Sequence, residues 1–416
     1  MSRVIVRFIL AIFLTVEVFQ PGPALARGEV PAQPDVKSEG AILVDMESGQ
    51  VLYQKNEDER LYPASTTKIL TALVVLKRAD LAEKARVPRE ACLTGGSAVG
   101  LQEDEILSVN DLLYAMLLSS ANDAAETLGI HVGGSEEGFA RLMNEEAHAI
   151  GAVNSNFVNP HGMPDPNHYT TARDLALIAR EAMKNSVFRK IVGTYHYRIE
   201  RTLPRPVEGI PQVDYVNHNR LLWSGSTYGY EGATGIKNGY TSEAGNCLVA
   251  SAERNGHELL AVMLNSGAYD VYQDAINLFD YGFNQFNHVV LVEKGAEVGS
   301  AGVRRGVEKN IGVLTAEGFC YNIPVGDGQA IENEVNIDKN ITAPVEKGQK
   351  VGTMRFLKGG EEIGSVDLVA DRGVERSPLF RWWYVPVLLL ALLLFLRIQT
   401  LLRRRKYMAR RKRRMY

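Results

Sequence analysis

The segment from Ile69 to Leu76 constrains the fold of this chain more than any other. Apolar side chains fill almost every position, so a helix formed here is apolar around its whole circumference. Such a helix has to be buried on all sides. With 416 residues, 45% of them hydrophobic, the chain is long enough for a large core and for two or three structural units.

Strands are predicted near both ends of the region from residue 40 to residue 287. The run "AILVDMESGQVLYQKN" contains two strand-like segments around Glu47-Ser48-Gly49, which predicts a hairpin. Later strands are predicted at "TGIKNGYT", "NCLVASAE" and "ELLAVML". Asn255-Gly256 joins the last two and is typical of a two-residue hairpin turn.

The pattern between about residues 108 and 190 is helical. Asn110 can cap one helix, Asn122 or Asp123 can cap the next, and a third is expected to end at Gly151. Early and late strands with helices between them predict one mixed sheet built from both ends of the domain.

A second module is predicted from residue 288 to residue 372. Short alternating runs are separated there by glycine-containing turns such as "KGAEVGS" and "LKGGEEIGSVDLV". This pattern is typical of an all-β module. It contains no cluster of nucleophile, base or metal ligands, so we expect it to act as a spacer or docking unit.

The N-terminal segment has the composition of an export signal. Residues 1–26 combine Arg3 and Arg7 with an apolar run and end in Ala24-Leu25-Ala26, which predicts a secretory signal peptide. Residues 27–39, rich in proline and charge, are predicted to form a linker.

The C-terminal segment predicts a membrane anchor over residues 380–402. Trp382-Trp383-Tyr384 precedes an almost unbroken Leu and Val run, and aromatic residues favour the membrane interface. A single span is preferred over a helix lying on the membrane surface, because the run is apolar all round.

The last segment, residues 403–416, is strongly basic. It holds nine Arg and Lys and no acidic residue, so the rest of the chain carries a net charge of −12. Beyond an apolar segment, such a tail indicates the cytoplasmic side and anionic lipid rather than nucleic acid. The sequence therefore predicts a single-pass protein of the cell membrane with its main domain on the extracytoplasmic face.

The three cysteines, Cys92, Cys247 and Cys320, are odd in number and widely spaced. They show neither a disulfide framework nor metal-ligand spacing. We expect all three to be buried small hydrophobic residues.

Ser65 and Lys68 lie three residues apart at the start of the apolar helix. This spacing puts both side chains on one face, close enough for the amine to hydrogen-bond the hydroxyl. A buried lysine with a lowered pKa can take the proton of a serine, and the helix start offers N–H groups to an anion. The alternative is a Ser N-cap followed by an ordinary first-turn lysine.

Ser120 and Asn122 lie in the short break between two predicted helices. In a loop, both can face one cleft, the hydroxyl relaying protons and the amide holding a peptide group. The alternative is that Asn122 only caps the following helix.

Lys237-Asn238-Gly239 is predicted to lie on a strand, followed by Tyr240 and Thr241. A lysine there can hold a carboxylate, a glycine lets a substrate backbone approach, and the Tyr240 N–H can serve an oxyanion. The alternative is a solvated edge strand with a turn.

Taken together and in this order, S-x-x-K, S-x-N and K-x-G resemble the penicillin-binding proteins and serine β-lactamases. The match is closest to the low-molecular-weight D-alanyl-D-alanine carboxypeptidases (serine peptidase S11 type). "PASTTKILTALV", "LLSSANDAAE", "FVNPHGMPDPNHYTTARDLALIAR" and "GIKNGYTSEAGNCLVASAERNG" all resemble segments of that family. The resemblance implies an α/β fold of the β-lactamase/transpeptidase type, with an antiparallel sheet and a helical block. A small all-β domain and the membrane anchor follow it.

The resemblance also implies roles for the motif residues. Ser65 would be the acylated nucleophile, and Lys68 its general base. Ser120 and Asn122 would shape the proton relay and hold the substrate. Lys237 would bind the terminal carboxylate or tune Ser120, with Thr241 assisting. The main-chain N–H groups of Ser65 and Tyr240 would form the oxyanion hole, beside Gly239.

One departure from the family concerns Asn238, because the third motif of the family usually has threonine there. Alternate residues on a strand point to opposite faces, so we expect Asn238 to alter substrate fit without touching Lys237.

Two rival functions share this fold. A serine β-lactamase needs an added glutamate that activates water, and Glu181 superficially fits, although its continuous helical pattern indicates a solvated face. A receptor that binds peptide or β-lactam without catalysis is the other. A metal site at His161, Asp165 and His168 is not expected, since prolines and glycines mark a structural loop there.

The sequence thus predicts a D-alanyl-D-alanine carboxypeptidase that needs no metal or organic cofactor. Its expected partners are peptidoglycan stem peptides ending in D-Ala-D-Ala, β-lactam antibiotics as covalent inhibitors, and membrane lipid at the anchor. No nucleic-acid partner is expected.

Overall fold

The computed structural model describes residues 33–201, 203–204, 212–378 and 384–412. The predicted signal peptide, the first part of the predicted linker and Trp382-Trp383 lie outside these residues. The end of the linker is anchored, because the backbone N–H groups of Lys37 and Ser38 donate to the Asp274 carboxylate at 2.9 and 2.8 Å.

The elements follow one another in two groups. The strands of the first domain are β1 (Gly40–Asp45), β2 (Val51–Lys55), β3 (Lys84–Arg86), β4 (Ile106–Ser108), β5 (His196–Glu200), β6 (Gln212–Val216), β7 (Ala233–Thr241), β8 (Gly245–Arg254) and β9 (His257–Ser266). Its helices are α1 (Lys68–Arg78), α2 (Arg89–Cys92), α3 (Val109–Leu118), α4 (Asn122–Gly133), α5 (Glu136–Ile150), α6 (Ala172–Met183), α7 (Ser186–Gly193) and α8 (Asp270–Gln285). The second domain contains β10 (Phe286–Val292), β11 (Glu297–Gly302), β12 (Asn310–Thr315), β13 (Phe319–Pro324), β14 (Ile331–Ile337), β15 (Lys350–Lys358) and β16 (Glu361–Ala370), and α9 (Tyr384–Lys412) ends the described chain.

The main sheet has the strand order β2-β1-β9-β8-β7, so it is built from both ends of the domain as predicted. All strand pairings in this sheet are antiparallel. The prediction of a mixed sheet from the strand pattern is therefore wrong, and the antiparallel sheet implied by the family resemblance is confirmed. Short turns join β1 to β2 and β7 to β8 to β9, and such hairpins permit only antiparallel neighbours. Asn255 and Gly256 have φ of 53° and 79°, as a type I′ turn requires.

Helices cover both faces of this sheet. On one face Ile42, Val249 and Val262 contact the core that contains α1, whose residues from Lys68 to Val75 are all buried. On the other face Leu43 and Leu248 pack with α8. The helix predicted to be buried on all sides is therefore confirmed.

Two predicted helix caps are wrong. The side chain of Ser108, not Asn110, caps α3 by accepting from the Asp111 N–H, because Ser108 precedes the first helical residue. Helix α4 has no side-chain cap, since Asn122 is already its first residue. Gly151 ends α5 in the left-handed conformation, as predicted.

The cysteines are only partly as expected. Cys247 and Cys320 are buried, but Cys92 is exposed. Helix α2 is short and presents Ala91 to the core, so Cys92 falls on its solvent side.

The second domain is all-β, as predicted. A five-stranded sheet, β11-β12-β16-β15-β14, lies beside a pair formed by β10 and β13. The domain is joined to the first by Gln50, whose side chain exchanges two hydrogen bonds of 2.9 and 2.7 Å with the backbone of Asn322. Its exact boundaries remain a prediction.

Among the described residues, one helix is long and apolar enough to cross a membrane. It is α9, and the apolar candidate span covers Tyr384–Arg410. Residues 385–410 of this helix are exposed to the surroundings. The helix fits a C-terminal membrane anchor.

Candidate active site

Ser65 lies in a 3₁₀ helix, Ala64–Thr67, that leads directly into α1. Its hydroxyl does not cap α1, because Thr67 occupies the N-cap position and makes no side-chain cap bond. The reading of Ser65 as an N-cap is therefore wrong. Its oxygen is left to contact Lys68, the first residue of α1.

Lys68 is completely buried, and its amine has three neighbours. Nζ lies 2.9 Å from Ser65 Oγ, 2.7 Å from Asn122 Oδ1 and 2.7 Å from the carbonyl oxygen of His161. The two carbonyl-type oxygens can only accept, whereas the hydroxyl can also donate. A neutral amine would thus use both N–H groups on Asn122 and His161 and turn its lone pair toward Ser65.

Electrostatics favour this neutral form. Burial lowers the pKa of Lys68 well below the usual range of a lysine, and the positive charge of Lys237 lowers it further. An amine that is neutral near physiological pH and hydrogen-bonded to a serine hydroxyl can accept its proton.

Asn122 connects Lys68 to a neighbouring loop. Its Nδ2 donates to the Gly95 carbonyl at 2.6 Å, and its backbone N–H donates to Ser97 at 2.7 Å. These bonds fix the orientation of the amide, so that Oδ1 faces Lys68. One N–H of the amide group remains available to a substrate.

Ser120 occupies the break between α3 and α4 in a left-handed conformation, with φ of 60°. It is buried. Among the described residues, no hydrogen bond joins its hydroxyl to Ser65, Lys68 or Lys237. Ser120 therefore lies in the break between α3 and α4, as predicted, but the hydrogen bonds of the expected proton relay are not formed within the described chain.

Lys237 lies on β7, the edge strand of the main sheet, and is buried. Burial lowers its pKa to about 7. Its Nζ donates to the Asn238 carbonyl at 2.9 Å and to Asn238 Oδ1 at 3.3 Å. The expectation that Asn238 leaves Lys237 untouched is wrong, because the asparagine amide is long enough to reach back to the amine.

Gly239 packs directly against the turn that carries Ser65. A Cβ at this position would lie 2.6 Å from Ser65 N and 3.1 Å from Thr66 N. The glycine therefore makes room for the nucleophile's own backbone, where the sequence suggested room for a substrate.

Thr241 and Tyr240 end the strand. The Thr241 hydroxyl accepts from the Ala244 N–H at 3.1 Å and so holds the turn to β8. Tyr240 is 66% exposed, which leaves its ring at the surface.

The loop around His161 was predicted to be structural, and its direct contact with Lys68 was missed. Besides the His161 carbonyl on Lys68, the His168 ring lies 2.9 Å from the Thr67 hydroxyl. Burial lowers the pKa of His161 to about 3 and of His168 to about 4, so both rings are neutral. Backbone carbonyls carry no sequence signal, which is why this contact was not predictable.

Glu181, the residue that a β-lactamase reading requires, lies away from this site. Its carboxylate pairs with Lys184 at 2.9 Å and with Lys77 at 3.5 Å, both on the outer side of α6 and α1. It therefore cannot activate water beside Ser65.

Comparison with known proteins agrees with the geometry. The sequence model described as D-alanyl-D-alanine carboxypeptidase matches residues 27–268, and that of the penicillin-binding protein 5 C-terminal domain matches residues 286–376. D-alanyl-D-alanine carboxypeptidase DacF of Bacillus subtilis is 31% identical over 348 residues, 82% of this chain and 87% of the relative. DacC of Escherichia coli is 31% identical over 380 residues, 88% and 91% of the two chains.

A solved structure shows the same fold. Penicillin-binding protein 5 from Haemophilus influenzae superposes with a TM-score of 0.69 at 28% identity and covers 83% of this chain and 99% of its own. Fold and site thus define a serine enzyme of the penicillin-binding class. Within that class, the chain belongs to the D-alanyl-D-alanine carboxypeptidase family, serine peptidases of type S11. The family and fold class expected from the sequence are confirmed.

The contact of Gly239 with Ser65 can be tested with Gly239→Ala. The added methyl has to push the backbone of Ser65 away, and a displacement of this size at a reacting group costs about 10²-fold in rate. We expect covalent labelling by a fluorescent penicillin to slow accordingly. Gly225→Ala, whose Cβ meets nothing within 4 Å, is the control and should label normally. Normal labelling of both variants would contradict the packing argument.

Proposed function

We propose that this protein removes the terminal D-alanine from peptidoglycan stem peptides through an acyl-Ser65 intermediate. The observation that carries the proposal is the environment of Lys68, whose two fixed acceptors leave the lone pair of a neutral amine for the Ser65 hydroxyl. Membership of a carboxypeptidase family supports the choice of substrate.

In the acylation step, Ser65 Oγ attacks the carbonyl carbon of the penultimate D-Ala while Lys68 Nζ takes its proton. The negative charge on the carbonyl oxygen is received by the backbone N–H groups of Ser65 and Tyr240. The C–N bond then breaks, the amine of the leaving D-Ala gains a proton from the Lys68 side, and an ester to Ser65 remains. We assign the transfer of this proton to Ser120 from its position in the second motif, which requires its hydroxyl to reach Lys68 in the substrate complex.

In the deacylation step, water attacks the ester carbonyl and gives its proton to Lys68. The C–O bond to Ser65 breaks, Ser65 regains a proton, and the shortened peptide leaves. A β-lactam follows the first step, but its leaving amine stays tethered to the acyl group, so it acts as a covalent inhibitor. No step requires a metal or organic cofactor.

Substrate binding is assigned to β7 and the Asn122 amide. Lys237 pairs with the terminal carboxylate, Gly239 and Thr241 lie on the same face of the strand, and the remaining N–H of Asn122 holds a substrate carbonyl. Asn238 Oδ1 already accepts a hydrogen bond from Lys237 Nζ. The substrate carboxylate therefore has to compete with Asn238 for this amine.

The acyl-enzyme predicts a clear outcome for Ser65→Ala. Intact-protein mass spectrometry after exposure to penicillin should show an adduct on the wild type and none on the variant, because the attacking oxygen is gone. Release of D-Ala from a D-Ala-D-Ala peptide should fall to background at the same time. Ser186→Ala, an exposed serine on α7, is the matched control and should behave as wild type.

Three results would contradict the proposal in different ways. Release of D-Ala by Ser65→Ala would overturn the mechanism. A wild-type adduct without release of D-Ala would indicate a receptor. Rapid loss of the adduct as hydrolysed penicillin would indicate a β-lactamase.

The lowered pKa of Lys237 predicts a pH dependence. Lys237 binds a carboxylate in its protonated form, which is present below about pH 7 and lost above it. We expect kcat/KM for a D-Ala-D-Ala peptide to fall as pH rises through 7, approaching about tenfold per pH unit, since kcat/KM reports the free enzyme. Lys237→Gln should have a low kcat/KM without this fall. A flat wild-type profile between pH 6 and 9 would remove Lys237 from carboxylate binding.

For the cellular location, we propose a single span by α9 with the basic tail in the cytoplasm and both folded domains on the extracytoplasmic face. The apolar length of α9 and the cluster Arg403-Arg404-Arg405, which follows its apolar part, support this arrangement. The basic tail then faces anionic lipid.

The anchor can be tested by flotation with anionic lipid vesicles. The full chain reconstituted in vesicles should float and resist extraction by salt and alkaline carbonate, because an apolar helix is held by the hydrocarbon core. A chain ending at residue 377 should remain in solution while keeping penicillin labelling. Complete extraction of the full chain by alkaline carbonate would indicate a surface-lying helix instead.

A further inference from the structure

Glu126, on α4, is a buried carboxylate that lacks a partner. It is 4% exposed, and its Oε2 accepts no hydrogen bond within the described chain. No Lys or Arg of the described residues forms an ion pair with Glu126 or with the nearby Glu136. A buried carboxylate oxygen without a donor or cation is costly, so it indicates a site that takes a positively charged ligand.

Three potential ligand atoms converge at this oxygen. Glu126 Oε2 lies 3.8 Å from His161 Nε2, which in turn lies 3.7 Å from Glu136 Oε1. All three atoms lie within 4.8 Å of one another. These separations are too long for hydrogen bonds. Ligands bound about 2.0 to 2.1 Å from one zinc ion are about 3 to 3.5 Å apart. The two contacts of His161 therefore need to shorten by a few tenths of an ångström, and the two carboxylate oxygens, which lie within 4.8 Å of each other, by less than about 2 Å.

We propose that Glu126, Glu136 and His161 form a binding site for a divalent transition-metal cation, of which Zn²⁺ is the best match. One imidazole nitrogen and two carboxylate oxygens suit zinc, and water completes the tetrahedron. Glu136 begins α5 and is only half-buried, so it gives the ion a path from solvent.

Metal binding changes the protonation of the His161 ring. At present Nδ1 accepts from the Met163 N–H at 3.2 Å, so Nε2 carries the proton that faces the carboxylates. The cation replaces that proton on Nε2, and Nδ1 takes up a proton so that the bound imidazole stays neutral, which ends its acceptance from the Met163 N–H. The cost is one long hydrogen bond and the displacement of the proton that Glu126 shares with solvent, since burial raises the pKa of this carboxyl to about 7. A metal–nitrogen bond and two metal–carboxylate bonds are gained in return.

A second group of ligand-type residues does not call for a cation. Asp45, His257 and His288 also lie close together, at the junction of the two domains. The Asp45 carboxylate, however, already accepts from Ser48 N, Ser48 Oγ, His257 Nε2 and Asn322 Nδ2. With its oxygens satisfied, this group holds the domains together without an ion.

The site is independent of the proposed peptidase reaction but adjoins its centre. The side chain of His161 would bind the cation, while its carbonyl oxygen accepts from Lys68. The ion would join α4, α5 and the loop around His161 behind the catalytic lysine.

The test is zinc binding by the full chain in detergent after removal of metals with EDTA. Equilibrium dialysis against ZnCl₂ and elemental analysis should give one equivalent more zinc for the wild type than for Glu126→Gln. Titration calorimetry should show at least a tenfold weaker affinity in the variant. Zinc should also raise the thermal unfolding temperature of the wild type and not that of the variant.

Four further variants make the test decisive. Glu126→Gln removes an unpaired charge and is expected to fold. Glu136→Gln, at a half-buried position, should lose the same one equivalent of bound zinc. Glu145→Gln and His148→Gln, exposed on α5, should keep it, as should His257→Gln at the domain junction. Equal zinc content in the wild type and Glu126→Gln, or its loss only in His257→Gln, would overturn the proposal.

Discussion

The rest of this structure depends on one constraint, a buried lysine amine that has no carboxylate partner among the described residues. Lys68 is surrounded by Ser65, Asn122 and the His161 carbonyl, which come from three separate parts of the chain. Its burial requires the apolar stretch of α1 that follows it, and that stretch requires layers of protein on every side. The same interior that stabilises the fold therefore also lowers the pKa of the lysine.

Much of this arrangement could be predicted from the sequence because it depends on local spacing. The turn at Asn255-Gly256, the buried helix after Ser65 and the sheet made from both ends of the first domain all follow from periodicity and turn chemistry. The contact between Ser65 and Lys68 follows from a three-residue spacing. The third partner of Lys68 is a backbone carbonyl some 90 residues away, and no side-chain pattern marks it.

The features that the sequence did not predict depend on how far side chains extend and on how closely elements pack. Alternation along a strand places Asn238 away from Lys237, but a flexible lysine and a long amide meet at the strand edge. Gly239 also makes room for the backbone of Ser65, a contact that alternation along the strand does not reveal. In the same way, the proximity of Glu126 to Glu136 and His161 depends on how two helices and a loop pack, which spacing in the sequence does not reveal.

The strand order also affects how the chain folds. Gly40 on β1 pairs with Leu264 on β9, so the first strand of the sheet has to wait for a partner some 220 residues later. Contacts this distant in sequence make folding slow. Until β9 is available, the apolar surface of α1 has no sheet to cover it, and the incomplete domain is prone to aggregation. The main sheet is therefore complete only when the whole segment from β1 to the end of β9, residues 40–266, is available to fold.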